Sequence, residues 1–349
     1  MRALVVTPGR PETLRLINIP KPKAGAGEAL LRVMRVGVCA TDRDIIFRGH
    51  GRTPEGYDYI ILGHEAVGKV VEVDGGVDIG VGDIVVPTVR RPCPEMCPSC
   101  RAGEEDYCIT GHYKEHGVWG LHGFASDYAV TDAKFIVKVP EELKEIAVLL
   151  EPTAVVVKAI EQVMAIQRRY KWSGKDMLVL GTGPIGLLSA LILRLQGFNV
   201  SVLGRRPPES RKAKLVNMID AEYIRKLTIE RKYDVVIEAT GSTEVVYRSL
   251  KLGKPNSVIV ILGVYQPTKI EIDFGSLMTN LMQYNRVIVG SVCAGKRHFE
   301  QAKEYLMKAR RRYPGFLEGM ITKIVRPEEF RRAIEREPDD IKNVIDFTK

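Results

Sequence analysis

The segment Met177-Leu178-Val179-Leu180-Gly181-Thr182-Gly183-Pro184-Ile185-Gly186 constrains this chain more than any other feature. An apolar strand runs into G-x-G-x-x-G, and the helical pattern Gly186–Gln196 follows. The first glycine allows a tight turn, the second lets the backbone approach a pyrophosphate, and the third lets helix and strand pack closely. The helix start offers free N–H groups and a positive dipole to phosphate. Alone, such a turn could be purely structural. Between a strand and a helix, with a second strand at Val200–Leu203 about 20 residues on, it predicts a dinucleotide-binding unit.

The end of that second strand reports which dinucleotide binds. An NAD site usually places Asp or Glu there for the ribose hydroxyls. Here Leu203 runs into Gly204-Arg205-Arg206, with no acid. A carboxylate would repel a 2′-phosphate, whereas guanidiniums grip it in bidentate fashion. NADP is favoured, with NAD also usable; the alternative is a pair of solvated surface arginines.

The motif sits in a run that alternates helix and strand. Thr153–Arg169 reads as a helix, and Asp176–Leu180, Asp234–Ala239, Val258–Leu262 and Val287–Val292 read as buried strands. Alternation of this kind predicts a doubly wound parallel sheet. The first 150 residues have another texture. Short β-like runs at Arg2–Val6, Ala29–Val36, Ala66–Val73, Ile84–Val86, Ser126–Val130 and Phe135–Lys138 are separated by Gly and Pro. They predict an antiparallel, barrel-like domain. From about residue 295 a helix, His298–Arg310, leads into a strand-helix-strand ending. At ~150 residues per domain, 349 residues suit two domains.

Composition narrows the function classes. With 45% hydrophobic and 27% charged residues, the chain is neither disordered, collagenous nor coiled coil. Lys and Arg number 52 against 43 Asp and Glu, a net charge of +9. That excess suits a polyanion or a phosphate-bearing cofactor. The basic residues are spread along the chain, and no contiguous basic stripe carries aromatic residues, so nucleic acid is not expected as a partner. No apolar run reaches the ~18–20 residues that span a bilayer, and the run in MRALVVTPGRPETL is too short for a signal peptide. A cytoplasmic protein without membrane association is expected. The six cysteines are then metal or catalytic candidates before they are disulfides.

Four of them, Cys93, Cys97, Cys100 and Cys108, fall within sixteen residues. Zinc takes four thiolates tetrahedrally, and short spacings let one loop wrap the ion. A structural zinc is expected, with disulfides or a redox site as alternatives. Such a closed site holds a loop and does not catalyse. A second constellation is dispersed: Cys39 in GVCATD, His64 and Glu65 in LGHEAVG, and Glu151 in Leu150-Glu151-Pro152. Cys, His and carboxylate together make an open, catalytic type of zinc site. Periodicity does not bring these places together. Taken singly, Cys39 reads as a core thiol and the two glutamates as surface acids.

These motifs jointly resemble the zinc-dependent medium-chain dehydrogenases, and among them the archaeal glucose 1-dehydrogenases. The resemblance covers the whole chain: GVCATD, LGHEAVG, VVPTVRRP, the four-cysteine loop, HGFASDY, GTGPIG, LGRR, EATG and IKNVIDF. It implies a GroES-like, partly barrel-shaped catalytic domain, residues 1–152 plus 294–349, with a Rossmann domain, residues 153–293, inserted and the site in the cleft between them. It also implies zinc-dependent oxidation of an aldose at C1 to the lactone, in a dimer or tetramer.

By the same resemblance Cys39 and His64 ligate the catalytic zinc, and Glu65 and Glu151 ligate it directly, through water or in alternation. Thr41 hydrogen-bonds the reacting hydroxyl and passes its proton on through the cofactor ribose. Asp42 orients His64, a role with its own physical logic. Glu115 touches the sugar, and Lys342 reaches the cofactor pyrophosphate. Thr182, Pro184 and Ile185 of the turn, Thr240, Leu262, Gly263, Val264, Ser291, Val292 and Cys293 line the cofactor, Cys293 facing the substrate as well. Some positions depart from the pattern. The first gap of the cysteine loop holds three residues where two is usual. Cys293 stands where relatives often carry Asn, and Val89 and Val155 stand where some place polar sugar contacts. An inert buried thiol is the alternative for Cys293, and galactose or xylose are expected as further substrates. Two rival functions are a zinc polyol or alcohol dehydrogenase and a zinc-ribbon nucleic-acid binder with a degenerate nucleotide fold.

If Arg205 and Arg206 hold a 2′-phosphate, the Arg205→Ala/Arg206→Ala variant loses charge-assisted contacts worth ~1.5–3 kcal/mol each. Losing one such contact shifts the ratio of kcat/KM for NADP over NAD toward NAD by about ten- to a hundredfold, and losing both shifts it further. An unchanged ratio makes the two arginines bystanders.

Overall fold

The alternating segment forms a six-stranded parallel sheet in the order Glu222–Ile224, Asn199–Leu203, Asp176–Leu180, Tyr233–Glu238, Gly253–Ile261, Val287–Gly290. This comes from a computed structural model that describes residues 1–74, 78–228 and 230–349. The strands are near-continuous apolar runs because both faces of such a sheet are covered. Leu178, Leu180, Val236 and Ile259 are buried together in one cluster. Strand order reverses between Asp176–Leu180 and Tyr233–Glu238, which is the switch point where doubly wound sheets bind dinucleotides.

The three glycines of the turn have three different environments. Gly181 lies at φ +110°, a conformation that L side chains rarely adopt. A Cβ at Gly183 would meet nothing within 4 Å, so this face of the turn is open. A Cβ at Gly186 would overlap the carbonyl oxygen of Gly181. Gly183 caps the helix Pro184–Leu195, with Pro184 in its first turn, where the missing N–H is not needed.

The chain divides into two compact units, one of residues 155–292 and 307–320, the other of residues 1–154, 293–306 and 321–349. The C-terminal segment expected to stay with the first residues of the chain is therefore split. Residues 307–320 belong to the unit with the parallel sheet because Phe316, Leu317 and Met320 are buried there. The short helix Phe316–Met320 packs on the helix Arg211–Met218, and Gly319 gives room to the Leu215 side chain.

The other unit is built on a mainly antiparallel sheet. Its path runs Ile136–Lys138, Ile84–Pro87, Glu65–Val73, Glu28–Val38, Lys342–Asp346, Ile321–Val325, and Tyr128–Asp132 also pairs with Glu28–Val38. The last strand of the chain thus lies beside one of the first, with Asn343 opposite Val38. On the other side of Glu28–Val38, Gly37 lies opposite Glu65. Two three-stranded sheets complete the unit, one of Arg2–Thr7, Arg10–Asn18 and Ile60–Ile61, the other of Arg90–Arg91, Lys114–His116 and Gly120–Leu121. Among the described residues, no helix is long and apolar enough to cross a membrane.

Gly186→Ala forces the first turn of its helix away from the sheet. Overpacking of this kind costs ~1–3 kcal/mol, so a lowered Tm in thermal denaturation is expected, and an unchanged Tm contradicts the close packing.

Candidate active site and metal centres

Cys39 ends the strand Glu28–Val38 and caps the helix Ala40–Arg48. Its backbone N–H donates to Asp42 Oδ2 at 2.7 Å, closing the capping box. His64 and Glu65 open the neighbouring strand, and sheet register sets them beside Cys39. One ligand atom from each of Cys39, His64 and Glu65 falls within 4.8 Å of the others. Thiolate, imidazole and carboxylate are the donor types zinc takes.

The surroundings of this trio fit a cation. Asp42 Oδ1 faces His64 Nδ1 at 3.6 Å, and both atoms are buried without a hydrogen-bond partner. That is how a carboxylate orients a metal-binding imidazole. Burial alone would lower the His64 pKa, but Asp42 and then Cys39 hold it well above its ordinary value. Thr41 Oγ1 lies 3.9 Å from the Cys39 sulfur. Glu151, in the first turn of the helix Leu150–Gln167, is buried but outside the trio. Burial raises its pKa to about 7, with His64 opposing and Glu65 adding to the rise.

Lys342 departs from its expected place at a pyrophosphate. It is 1% exposed, and its ammonium is turned inward to Glu65 Oε2, with the Val38 carbonyl 3.5 Å away. The insertion of Lys342–Asp346 beside Glu28–Val38 decides this. Gly37 makes the room, since a Cβ there would overlap Glu65 Oε2. No sequence signal short of the strand pairing could have disclosed it.

One ligand atom from each of the four clustered cysteines also falls within 4.8 Å of the others, and all four thiols are free. Met96 adopts φ +45°, which absorbs the extra residue between Cys93 and Cys97. The backbone N–H of Cys100, then that of Ile109, lowers the Cys97 pKa. Burial works the other way at Cys108, yet hydrogen bonds from Thr110 and Gly111 bring it down to about 6. Burial pushes the Cys100 thiol up to about 12, but four thiols converging from one loop are the donor set of a closed zinc site.

Glu115 lies in the strand Lys114–His116, opposite Arg90. The pair was not foreseen, because Arg90 reads as an ordinary basic residue within PTVRRP. Arg90 is 4% exposed and lies 2.9 Å from Glu115 Oε1. Glu115, Glu151 and Cys293 are close enough to act electrostatically on one another. The Cys293 thiol is buried at φ +57°, and burial pushes its pKa up to about 12, so it stays neutral. Val89 is a core residue.

In the parallel-sheet unit the expected cofactor residues gather at the carboxyl ends of the strands. Arg205 follows Asn199–Leu203, is exposed and makes no hydrogen bond or ion pair among the described residues. Tyr223 Oη donates to the Arg206 carbonyl and fills the space beside Gly204 that a side chain would need. Thr240 follows Tyr233–Glu238, and its methyl would meet a Cβ placed on Gly181. The Leu262-Gly263-Val264 stretch follows Gly253–Ile261, and Ser291 and Val292 follow Val287–Gly290. The end without an acid, the open Gly183 and the exposed Arg205 are features that suit a phosphorylated dinucleotide.

Comparison with known proteins agrees with this layout. Residues 25–141 match the alcohol dehydrogenase GroES-like domain, and residues 144–347 match the glucose dehydrogenase C-terminus. The chain is 47% identical to glucose 1-dehydrogenase 2 of Vulcanisaeta moutnovskia, over 99% of both chains. It is 46% identical to glucose 1-dehydrogenase of Thermoproteus tenax, again over 99% of both. It belongs to the glucose dehydrogenase family of zinc-type medium-chain dehydrogenases. Glucose dehydrogenase of Haloferax mediterranei, solved in complex with NADP, Zn and gluconolactone, is 34% identical and overlays on all of both chains with a TM-score of 0.92.

For this glucose dehydrogenase family member, elemental analysis of the purified protein is expected to give two zinc ions per chain. Cys100→Ala removes one and lowers the Tm; Cys39→Ala removes the other and leaves the Tm near wild type. A single zinc in the wild type refutes the assignment of one of the two clusters.

Proposed function

We propose that this protein oxidises β-D-glucose, or a similar aldose, at C1 to the lactone, with NADP⁺ as preferred hydride acceptor and NAD⁺ as a second. The observation that carries this is the pairing of a Cys-His-Glu donor set with two further carboxylates, Glu151 and Glu115, in one unit. A polyhydroxylated substrate needs several acceptors beside the reacting carbon, which an apolar alcohol tunnel would not offer. The Haloferax relative solved with NADP, Zn and gluconolactone supports the same reading.

Zinc, when bound by Cys39, His64 and a carboxylate from Glu65 or Glu151, supplies Lewis-acid polarisation of the C1 hydroxyl. NADP⁺, when bound along the strand ends, supplies the hydride acceptor. Thr41 accepts a hydrogen bond from the reacting hydroxyl and relays its proton, giving up its own hydroxyl proton toward solvent as it takes the new one. Asp42 keeps His64 in one ring orientation. Glu151, with a pKa near neutrality, accepts a hydrogen bond from the sugar and can exchange a proton. Glu115 accepts from a second hydroxyl, and the neutral Cys293 thiol fills space beside it. Lys342 balances the charge of Glu65 and holds it in place. A second zinc at Cys93, Cys97, Cys100 and Cys108 fixes its loop.

In the parallel-sheet unit, Gly181–Gly186 hold the pyrophosphate, and Arg205 and Arg206 hold the 2′-phosphate. Thr240, Leu262–Val264 and Ser291–Val292 line the remainder of the cofactor. A homo-oligomer, dimer or tetramer, is part of the reading. The helix Phe274–Gln283 buries none of its residues, and Phe274, Met278, Met282, Ile288 and Val292 leave an apolar surface next to an edge strand. The six free thiols suit a reducing compartment such as the cytoplasm.

The test is a panel of glucose, galactose, xylose, sorbitol and ethanol at saturating NADP⁺. Aldoses are expected to lead, with galactose and xylose accepted because Val89, Val155 and Cys293 offer few polar contacts. Sorbitol or ethanol turning over faster than every aldose would replace this reading with a polyol or alcohol dehydrogenase. Light scattering of the purified protein is expected to give a mass at least twice 39.0 kDa; a monomer contradicts the oligomer.

A further inference from the structure

Arg90 has an unusually complete set of partners for a residue the reaction does not call for. Its Nε and Nη2 both reach the same oxygen of Glu115, Oε1, at 3.0 and 2.9 Å. Its Nη1 donates to the backbone carbonyl of Asp106 at 3.2 Å. The face of the guanidinium lies on the Tyr113 ring, 3.7 Å from the centroid. Buried on all sides, Arg90 is held rigidly, and a planar fork loses little further freedom in such contacts.

Glu115 is held on one side only. Oε1 takes both N–H groups of Arg90, whereas Oε2 makes no hydrogen bond among the described residues and is not sealed from solvent. A carboxylate with one oxygen clamped and one open is a directed acceptor. If it were there only to neutralise Arg90, the fork-to-fork geometry would use both oxygens.

The third partner links this pair to the cysteine loop. Asp106 belongs to the single turn Glu105–Tyr107, and Cys108 follows immediately, its N–H donating to the Glu105 carbonyl. The carbonyl that grips Arg90 is therefore two residues from the fourth thiol.

We infer that Arg90 is a positioning residue: it fixes Glu115 with one oxygen turned toward a sugar hydroxyl, and through the Asp106 carbonyl it ties that geometry to the four-cysteine loop. The inference rests on the aldose reading above. It means that the loop serves substrate affinity as well as stability.

A double-mutant cycle in the holoenzyme tests it, read by the Kd of D-glucose in the dead-end complex with NADPH and by KM, kcat and the Kd of NADP⁺. Arg90→Met is expected to weaken glucose binding by about ten- to a hundredfold, the loss of one charge-assisted contact. The expected change in kcat and in the Kd of NADP⁺ is small. In a Glu115→Gln background, Arg90→Met should add almost nothing to the weakening. Equal effects in both backgrounds assign Arg90 to the scaffold and overturn the inference. Should Arg90→Met not fold, Arg90→Lys keeps the charge but loses the fork. Glucose affinity left at the wild-type value by Arg90→Lys is equally fatal. Cys108→Ser, assayed well below its Tm, is expected to weaken glucose binding while sparing NADP⁺; wild-type glucose affinity there removes the link to the loop. A wild-type enzyme that turns over no aldose overturns the aldose reading itself, and this inference with it.

Discussion

The catalytic unit depends on one strand pairing. Lys342–Asp346 inserts beside Glu28–Val38 and delivers a lysine ammonium onto Glu65, among residues shut off from water. Two buried charges gain from each other only what they lose by desolvation, unless the geometry is tight. Here it is tight, because Gly37 has no side chain to hold the carboxylate off. Removing either partner would leave the other as an uncompensated buried charge, at a cost of ~3–5 kcal/mol. The same pairing anchors the end of the chain, closes the sheet and fixes one member of the donor trio.

Around that pair, charge is arranged in layers. Asp42 faces His64, Lys342 faces Glu65, and Arg90 faces Glu115. Each counter-charge is itself held by a second contact: Asp42 accepts from the Cys39 N–H, Lys342 lies beside the Val38 carbonyl, and Arg90 donates to the Asp106 carbonyl. Glu151 makes no ion pair among the described residues, and burial raises its pKa to about 7 against the opposing charges of His64 and Lys342. A carboxyl poised there can take up and release a proton near neutral pH. The nucleotide-binding unit follows a different logic, in which backbone shape does the work. An open glycine, a helix start and the lack of an acid after Asn199–Leu203 suit an anionic ligand without any buried ion pair.

Five of the six strands of the parallel sheet were legible in the sequence, whereas the three-residue edge strand Glu222–Ile224 was not, and Gly253–Ile261 begins five residues before the expected Val258. Asp176–Leu180 was expected where it lies, because a strand buried on both faces must be an uninterrupted apolar run. The helix expected at Thr153–Arg169 begins at Leu150 instead, since Pro152 is tolerated in a first helical turn. Arg10–Asn18 was not expected at all, because its polar residues lack an alternation that marks a face. The helix Phe274–Gln283 escaped as well, although Phe274, Leu277, Met278, Leu281 and Met282 recur at helical spacing. The split of the C-terminal segment also lay beyond the sequence. The apolar residues of Phe316–Met320 announce burial but not which unit buries them.

The sequence by itself determined what is local: the glycine turn, the four-cysteine loop and the missing acid before Arg205. Each is a property of neighbours in the chain, fixed by backbone geometry or short loop closure. Tertiary structure alone decided what is shared between distant segments. Cys39, His64 and Glu65 meet because strand register places Glu65 opposite Gly37. Lys342 turns to Glu65, and Arg90 clamps one oxygen of Glu115, through pairings of strands far apart or separated by a loop. Periodicity states which face a side chain takes. Only the pairing of strands states which residue stands opposite, because a slip of one position would turn every side chain to the other face.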